Sequence, residues 1–392
     1  MKASNLIYAL LLGVTLTACN EVDICESEHP HKANAQFAFD FDKYEAEKPD
    51  TMGVLAYRVV NQLKCLVRVN STDLNMACSD DKALAEDRKT LKISEGGYRF
   101  YTFPLDDKEI DYSELDDFIA NKSADYSIRN VGFTYRQYDI NDPELKKKLT
   151  EWLDYNPYSK YIQPDASPIL YDTTAVINVE RDQHIVQSFK PKSLSQNVDV
   201  VFHIDKKVNK TPFIIDEVWA ELSGIPVHIN LLSRHLEISK TAKIMFPITL
   251  TAKNGDQADS FENTTLTCRG NINVMGVVNV QRSKGETVEE AMCKTYGPGI
   301  MQVIIYGHSV DPVSGKTRHK KWQGIINLYR PILAADLMKV SDDGLYVTRS
   351  REKGIINVTA RLSIDGEKIV APNTESHSFG EWIPTVDILL DI

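Results

Sequence analysis

The sequence is poor in the residues that usually announce chemistry. Cysteine is scarce, six among 392 residues, and neither a CxxC pair nor a Cys/His spacing typical of a zinc site occurs. Gly-x-Ser-x-Gly, His-Glu-x-x-His and Walker patterns are absent as well, so no motif supports an enzyme and no cofactor is implied. A carboxylate pair that meets only in the fold would escape such a search. Nineteen Gly and sixteen Pro are too few for a collagen-like or low-complexity chain. Basic residues are outnumbered 45 to 55, a net charge of −10. That balance does not suit a general nucleic-acid binder, because phosphate contacts need a local excess of Lys and Arg. What remains is a globular composition, 42% hydrophobic and 26% charged, in a chain long enough for two or three domains of about 100–200 residues each.

The N-terminus carries the clearest signal. Lys2 precedes an apolar run from Leu6 to Leu16, which is short of the roughly 20 residues that cross a bilayer and has the form of a secretory signal. No later apolar run matches it in length, so no transmembrane helix is expected in the mature chain. The run ends in Leu16-Thr17-Ala18-Cys19, which resembles a bacterial lipobox. Cleavage before Cys19 would leave its thiol and amine to carry acyl chains, and two or more such chains make a stable anchor at about 0.8 kcal/mol per buried CH₂. Residues 1–18 are then a signal peptide. Residues 19–33 form a tether, acidic through Glu21, Asp23, Glu26 and Glu28. Such a stretch resembles the surface-export signal of Bacteroidetes lipoproteins; a solvated linker reads the same way. Outer-membrane anchoring at the cell surface is the expected localisation.

With Cys19 used for lipid, Cys25, Cys65, Cys78, Cys268 and Cys293 remain. Export permits disulfides, and the pairs closest in sequence are Cys65 with Cys78 and Cys268 with Cys293. Cys65 is also in phase with Val67 and Val69, as a buried free thiol would be, so both readings stay open. His29-Pro30-His31 is a weak two-histidine motif for a metal. The acidic group Asp111, Glu114, Asp116 and Asp117 lacks the spacing of a calcium loop. His203, His228 and His235 fall on the polar side of their runs and read as solvent-facing. Asp50-Thr51-Met52 and Asp172-Thr173-Thr174 resemble an O-glycosylation acceptor, and strand threonines would look the same.

Period-two alternation dominates the rest. Ala35, Phe37, Phe39 and Phe41 share a face; so do Val198, Val200, Phe202 and Ile204, then Val227, Ile229 and Leu231, then Ile272, Val274 and Val278, and Ile356, Val358, Ala360, Leu362 and Ile364. The chain closes on Val386, Ile388, Leu390 and Ile392. Strands half-buried in antiparallel sheets give this pattern, and Gly96-Gly97, Asn254-Gly255, Ser314-Gly315 and Asp343-Gly344 supply turns. Two short helices are expected, one from Asp142-Pro143 through Leu153 and one behind a capping box at Thr287 and Glu290. The expected fold is therefore all-β, two tandem antiparallel β-sandwich domains with one or two short helices. The proline-broken stretch between Asp154 and Pro168 is the expected boundary, giving domains at 34–160 and 168–392.

Taken together, several of these features resemble a fimbrillin-like lipoprotein family of the Bacteroidetes. The matching residues are Cys19 with its acidic tether, Cys25, His29-Pro30-His31 and the Phe-rich strand after it. Others are Met52 to Tyr57, Gly97-Tyr98, Val218 to Gly224, His308 after Gly307, Leu328-Tyr329 and the close from Trp382-Ile383-Pro384 to Ile392. Phe103-Pro104 and the four later cysteines depart from the family pattern. The resemblance implies transthyretin-like sandwiches on an outer-membrane lipid anchor, with fimbrial subunits, anchors or tips among the relatives, and no catalytic residues. The expected role is thus structural or adhesive, with fimbrial subunits as partners. The alternative is a surface lipoprotein that captures glycans or host proteins, for which Tyr158, Tyr161 or Trp322 would serve as exposed aromatics. A carbohydrate-active or proteolytic enzyme is the remoter alternative. Residues from Pro384 to Ile392 would complete the chain's own last sheet, or else donate a strand to another subunit.

Overall fold

The structure, a computed structural model, describes residues 32–41, 49, 51–60, 64–70, 74–76, 90–105, 108–120, 127–138, 159–163, 169–207, 212–252, 264–311, 313–364, 369–370 and 386–387. Its first part holds β1 (Ala33–Phe39), β2 (Thr51–Arg58), β3 (Lys64–Asn70), β4 (Leu74–Met76), β5 (Leu91–Ile93), β6 (Gly96–Pro104), β7 (Ile110–Asp111), α1 (Ser113–Ala120) and β8 (Gly132–Tyr135). Next come β9 (Tyr161–Ile162), β10 (Leu170–Thr173), β11 (Ile177–Val179), β12 (His184–Phe189) and β13 (Lys192–Ser193). Longer strands follow: β14 (Gln196–Lys206), β15 (Phe213–Pro226), β16 (His228–Asn230), β17 (Leu236–Glu237), β18 (Thr241–Ala252) and β19 (Thr264–Val274). After α2 (Val288–Met292) come β20 (Ile300–Val310), β21 (Thr317–Asn327), α3 (Tyr329–Ala335), β22 (Met338–Val340), β23 (Tyr346–Arg349), β24 (Lys353–Ile364), β25 (Ile369–Val370) and β26 (Val386–Asp387).

Four sheets result. The first is β12-β1-β5; the second is β13-β10-β6-β2-β3-β4, with β11 also on β6. The third runs β25-β24-β14-β19-β18-β15-β20-β21-β26, with β9 on β18, and the fourth is β22-β23-β17-β16-β8-β7. The fold is all-β, as the alternation predicts, and the alternating residues of β14 lie where they should. Val198, Val200, Phe202 and Ile204 are buried on one face of β14, while Asn197, Asp199, Val201, His203 and Asp205 lie toward the other. The capping box at Thr287 and Glu290 forms and opens α2. The helix expected from 142 to 153 lies outside the described residues, and among those described α1 and α3 are additional short helices.

Two features differ from the expectation. Pairing is not purely antiparallel, because β1 with β12, β14 with β24 and β9 with β18 run parallel. The pairing also does not break between 154 and 168. β10 and β11, which follow that stretch, pair with β6, and β12 pairs with β1. Conversely β7 and β8 join the fourth sheet, β8 against β16 of the later part. Prolines end strands locally, but buried faces select a strand's partner, and here they select across the prolines.

One core lies between the first two sheets, where Ala33, Ala35, Val54, Ala56, Phe100 and Phe189 meet. A larger one joins the opposite face of the second sheet (Leu55, Tyr101, Phe103), α1 (Leu115, Phe118), the fourth sheet (Phe133, Ile229, Val347) and the inner face of the third (Val200, Phe202, Val303). Among the described residues no helix is long and apolar enough to cross a membrane.

Candidate functional site

Cys19, Cys25, Cys78, His29, His31 and Tyr158 lie outside the described residues. Cys65 is half-buried on β3, opposite Ala56. Cys268 is buried on the core face of β19, flanked by Phe202 and Leu250 in the register, and burial pushes its thiol far above the ordinary cysteine range. Cys293 is exposed at the C-terminus of α2. Both are free thiols, so the Cys268–Cys293 pairing considered from spacing does not form. Alternation turns Cys268 inward, whereas Cys293 follows a surface helix.

The histidines separate. His203 stays on the outer face, its Nδ1 3.3 Å from Thr267 Oγ1, and His235 lies tilted against the Tyr346 ring, the two centroids 5.4 Å apart. His228 does not face solvent: it is buried, with Nε2 3.1 Å from Glu114 Oε2 and Nδ1 3.7 Å from Glu237 Oε1. Lys240 Nζ in turn lies 3.2 Å from Glu237. The ring is thus held between carboxylates from α1 and β17. Gly132 is required beneath it, since a Cβ there would sit 2.3 Å from Nε2, and its N–H donates to the same Glu114 oxygen at 2.9 Å. A second pair, His308 Nδ1 at 2.8 Å from Asp216, sits where β15 is bulged.

The acidic group does not converge. Asp111 Oδ1 accepts the Ser113 N–H at the start of α1, Glu114 turns to His228, and Asp116 and Asp117 are exposed. Among the described residues no three His, Cys, Asp or Glu side chains are grouped to hold a metal ion. The threonines of the glycosylation-like triplets are strand residues: Thr51 is buried on β2 and Thr173 half-buried on β10.

Of the aromatics expected to be exposed, the two among the described residues are buried. Trp322 is 1% exposed and packs 5.2 Å from the Phe213 ring. Tyr161 is 3% exposed; its hydroxyl donates to Glu221 Oε2 at 2.7 Å, while Lys243 Nζ donates to the other oxygen at 2.6 Å. Burial, then the Glu221 charge, drives the Tyr161 phenol far above its usual range. These three residues pin β9 to the third sheet and leave Tyr161 no free face.

What the third sheet does present is polar. On the outer face of β14 and β19, Asn197 bonds both Asn271 and Asn273 at 2.9–3.0 Å. Asn271 and Arg269 both reach Asp199, and Thr265 reaches Asp205, which Arg361 of β24 also approaches. Such a face offers preset amide, carboxylate and guanidinium groups to a polar partner. At the far edge β26 pairs with β21, Val386 against Lys321, so this part of the C-terminal segment extends its own chain's sheet.

No protein-family model matches the chain, and no curated protein matches it. Among solved structures it is similar to a protein described as an adhesin from Bacteroides ovatus, at 9% identity over 87% of this chain and 94% of that one, with a TM-score of 0.42. It is also similar to the fimbrial anchor protein Mfa2 from Porphyromonas gingivalis, at 12% identity over 85% and 90% of the two chains, TM-score 0.35. A protein described as a cell adhesion protein from Bacteroides fragilis shares 9% identity over 93% and 99%, TM-score 0.30.

Proposed function

We propose that this chain is an outer-membrane lipoprotein at the cell surface, serving as a structural or adhesive component related to fimbrial subunits or anchors. The observation that carries the reading is the end of the N-terminal apolar run, Leu16-Thr17-Ala18-Cys19, placed directly before an acidic stretch. Acyl chains on Cys19 would hold the protein at the membrane, residues 19–33 would space it away, and the sandwiches would carry a binding or assembling surface. In this reading the N-terminal sandwich draws on β10 to β13 as well as on residues 34–160. The role is of the kind described for the adhesin and the fimbrial anchor above. The support for it is the residue pattern at the two ends of the chain. The protein is not an enzyme in this reading.

The outer face of β14 and β19 favours the second reading, capture of a glycan or a host protein, because its groups are polar, preset and open to solvent, whereas Tyr161 and Trp322 are not. The primary reading is tested by Cys19→Ala. The variant should leave the membrane fraction or stall unprocessed; normal maturation with continued membrane association overturns the anchor.

A further inference from the structure

Among the described residues, the strands that end the four sheets are two or three residues long, with one exception. That exception is β12, six residues at the edge of the first sheet. Long edges are usually blunted by charge, proline or a bulge, because their unpaired backbone recruits other strands. The sequence His184-Ile185-Val186-Gln187-Ser188-Phe189 contains no Asp, Glu, Lys, Arg or Pro, and its register with β1 runs without a shift. Backbone bonding to β1 uses alternate residues. The Asn34 N–H donates to Gln183 O and the Asp40 N–H to Phe189 O, so the odd-numbered residues turn their backbone groups toward β1. In a parallel ladder of that phase, the N–H and C=O groups of His184, Val186 and Ser188 point to the opposite edge. The Gln187 amide takes Ser188 O at 2.8 Å, and among the described residues no strand lies along that edge. The same three side chains are exposed, Val186 to 61%.

The charges that β12 lacks stand at its two ends, and they differ in sign. Glu180 and Asp182 precede it in a turn closed by the Gln183 side chain, whose Oε1 accepts the Glu180 N–H at 3.0 Å; both acids are exposed. Lys190 and Lys192 follow it, also exposed. Lys190 Nζ lies 3.2 Å from Asp40 but remains largely in solvent. Such a strand is complementary to itself when reversed. An antiparallel pair centred on Val186 sets Val186 against its twin and His184 against Ser188 of the second copy. The same count leads Asp182 toward Lys190 and Glu180 toward Lys192 of that copy. Parallel pairing would bring like charges together at both ends, which is destabilising.

We propose that β12 is a self-association edge. A second copy of this chain adds its own β12 antiparallel to the first, with the two-fold axis at Val186, and joins the two first sheets into one continuous sheet. Main-chain hydrogen bonds supply the affinity of such strand addition, and the opposite charges at the strand ends fix its register. The contact uses the same patch on both copies, so it closes at a dimer and does not propagate. Neither the lipid anchor nor a fimbrial partner is needed for it.

The test is sedimentation equilibrium of the full chain in density-matched detergent across a wide concentration range, where monomers are expected to pass into dimers. Val186→Lys sets two ammonium groups against each other at the axis and leaves the bonds to β1 in place. It should weaken the dimer by about tenfold or more while melting like the wild type. Val340→Lys, at a similarly exposed position on the short edge strand β22, should leave the dimer unchanged. Glu180→Lys should weaken it as well, and adding Lys192→Glu should restore it. Monomers at every concentration overturn the proposal. So does a dimer that Val186→Lys leaves intact, or a loss in Glu180→Lys that Lys192→Glu does not repair.

Discussion

Strands β2 and β14 are both central in their sheets, yet they bury their side chains differently. Along β14 burial alternates without exception, and one face is wet. Along β2 six consecutive residues from Thr51 are buried, because Val54 and Ala56 pack into the core beneath the first sheet while Leu55 packs into the large core on the other side. The second sheet is therefore a middle layer, and the third has a free face where β14 and β19 run. A strand's position between layers, more than its own composition, decides how many of its residues are constrained.

An asparagine scan should expose the difference most strongly. Leu55→Asn and Ala56→Asn are both expected to destabilise by about 3 kcal/mol or more, since each places an unpaired amide in a packed core. On β14 the same change should be as costly at Val200 but stay within about 0.5 kcal/mol at Val201, on the outer face. Equilibrium denaturation measures all four, and a costly Val201→Asn would show that the outer face is covered. A smaller effect is expected at Asn271, whose amide bonds Asn197 and Asp199 on that face. Asn271→Ala should lower stability by about 0.5–1 kcal/mol, because solvent replaces the lost bonds; a loss as large as that at Leu55 would erase the contrast.

The smallest effect concerns the hairpin between β20 and β21. The Asp311 carboxylate accepts the N–H groups of Ser314 and Val313 and lies beside Arg318, which hold it below the usual aspartate range. Its contribution is present above the unfolded aspartate value and is lost as pH falls through the lower, folded one. Amide exchange at Ser314 should therefore lose protection only in that acidic window, and Asp311→Asn should flatten the profile. Protection that falls instead near neutral pH would exclude Asp311 as the cause.

The same contrast explains what could be read in advance. The faces of β14, β19 and β24 were legible because water on one side enforces alternation. For β2 the residues Met52 to Tyr57 marked a strand without showing that both faces are covered. His228 sits in phase with polar neighbours, yet Glu114 buries it from 114 positions away, and no local spacing encodes such a partner. Trp322 and Tyr161 are buried for the same reason: the layers that cover them come from distant parts of the chain. Alternation tells which residues share a face but not what that face meets.

The parallel pairing of β14 with β24 has a kinetic consequence. Asn197 meets Lys353, and Lys206 meets Ile364, so the third sheet lacks this neighbour on one side of β14 until nearly the whole chain is present. Contacts of such separation in sequence close slowly, because loop entropy is lost before any bond repays it. During that interval β14 offers an unpaired row of backbone donors and acceptors, the kind of edge that captures other strands. A newly made copy would need either dilution or an escort until β24 arrives.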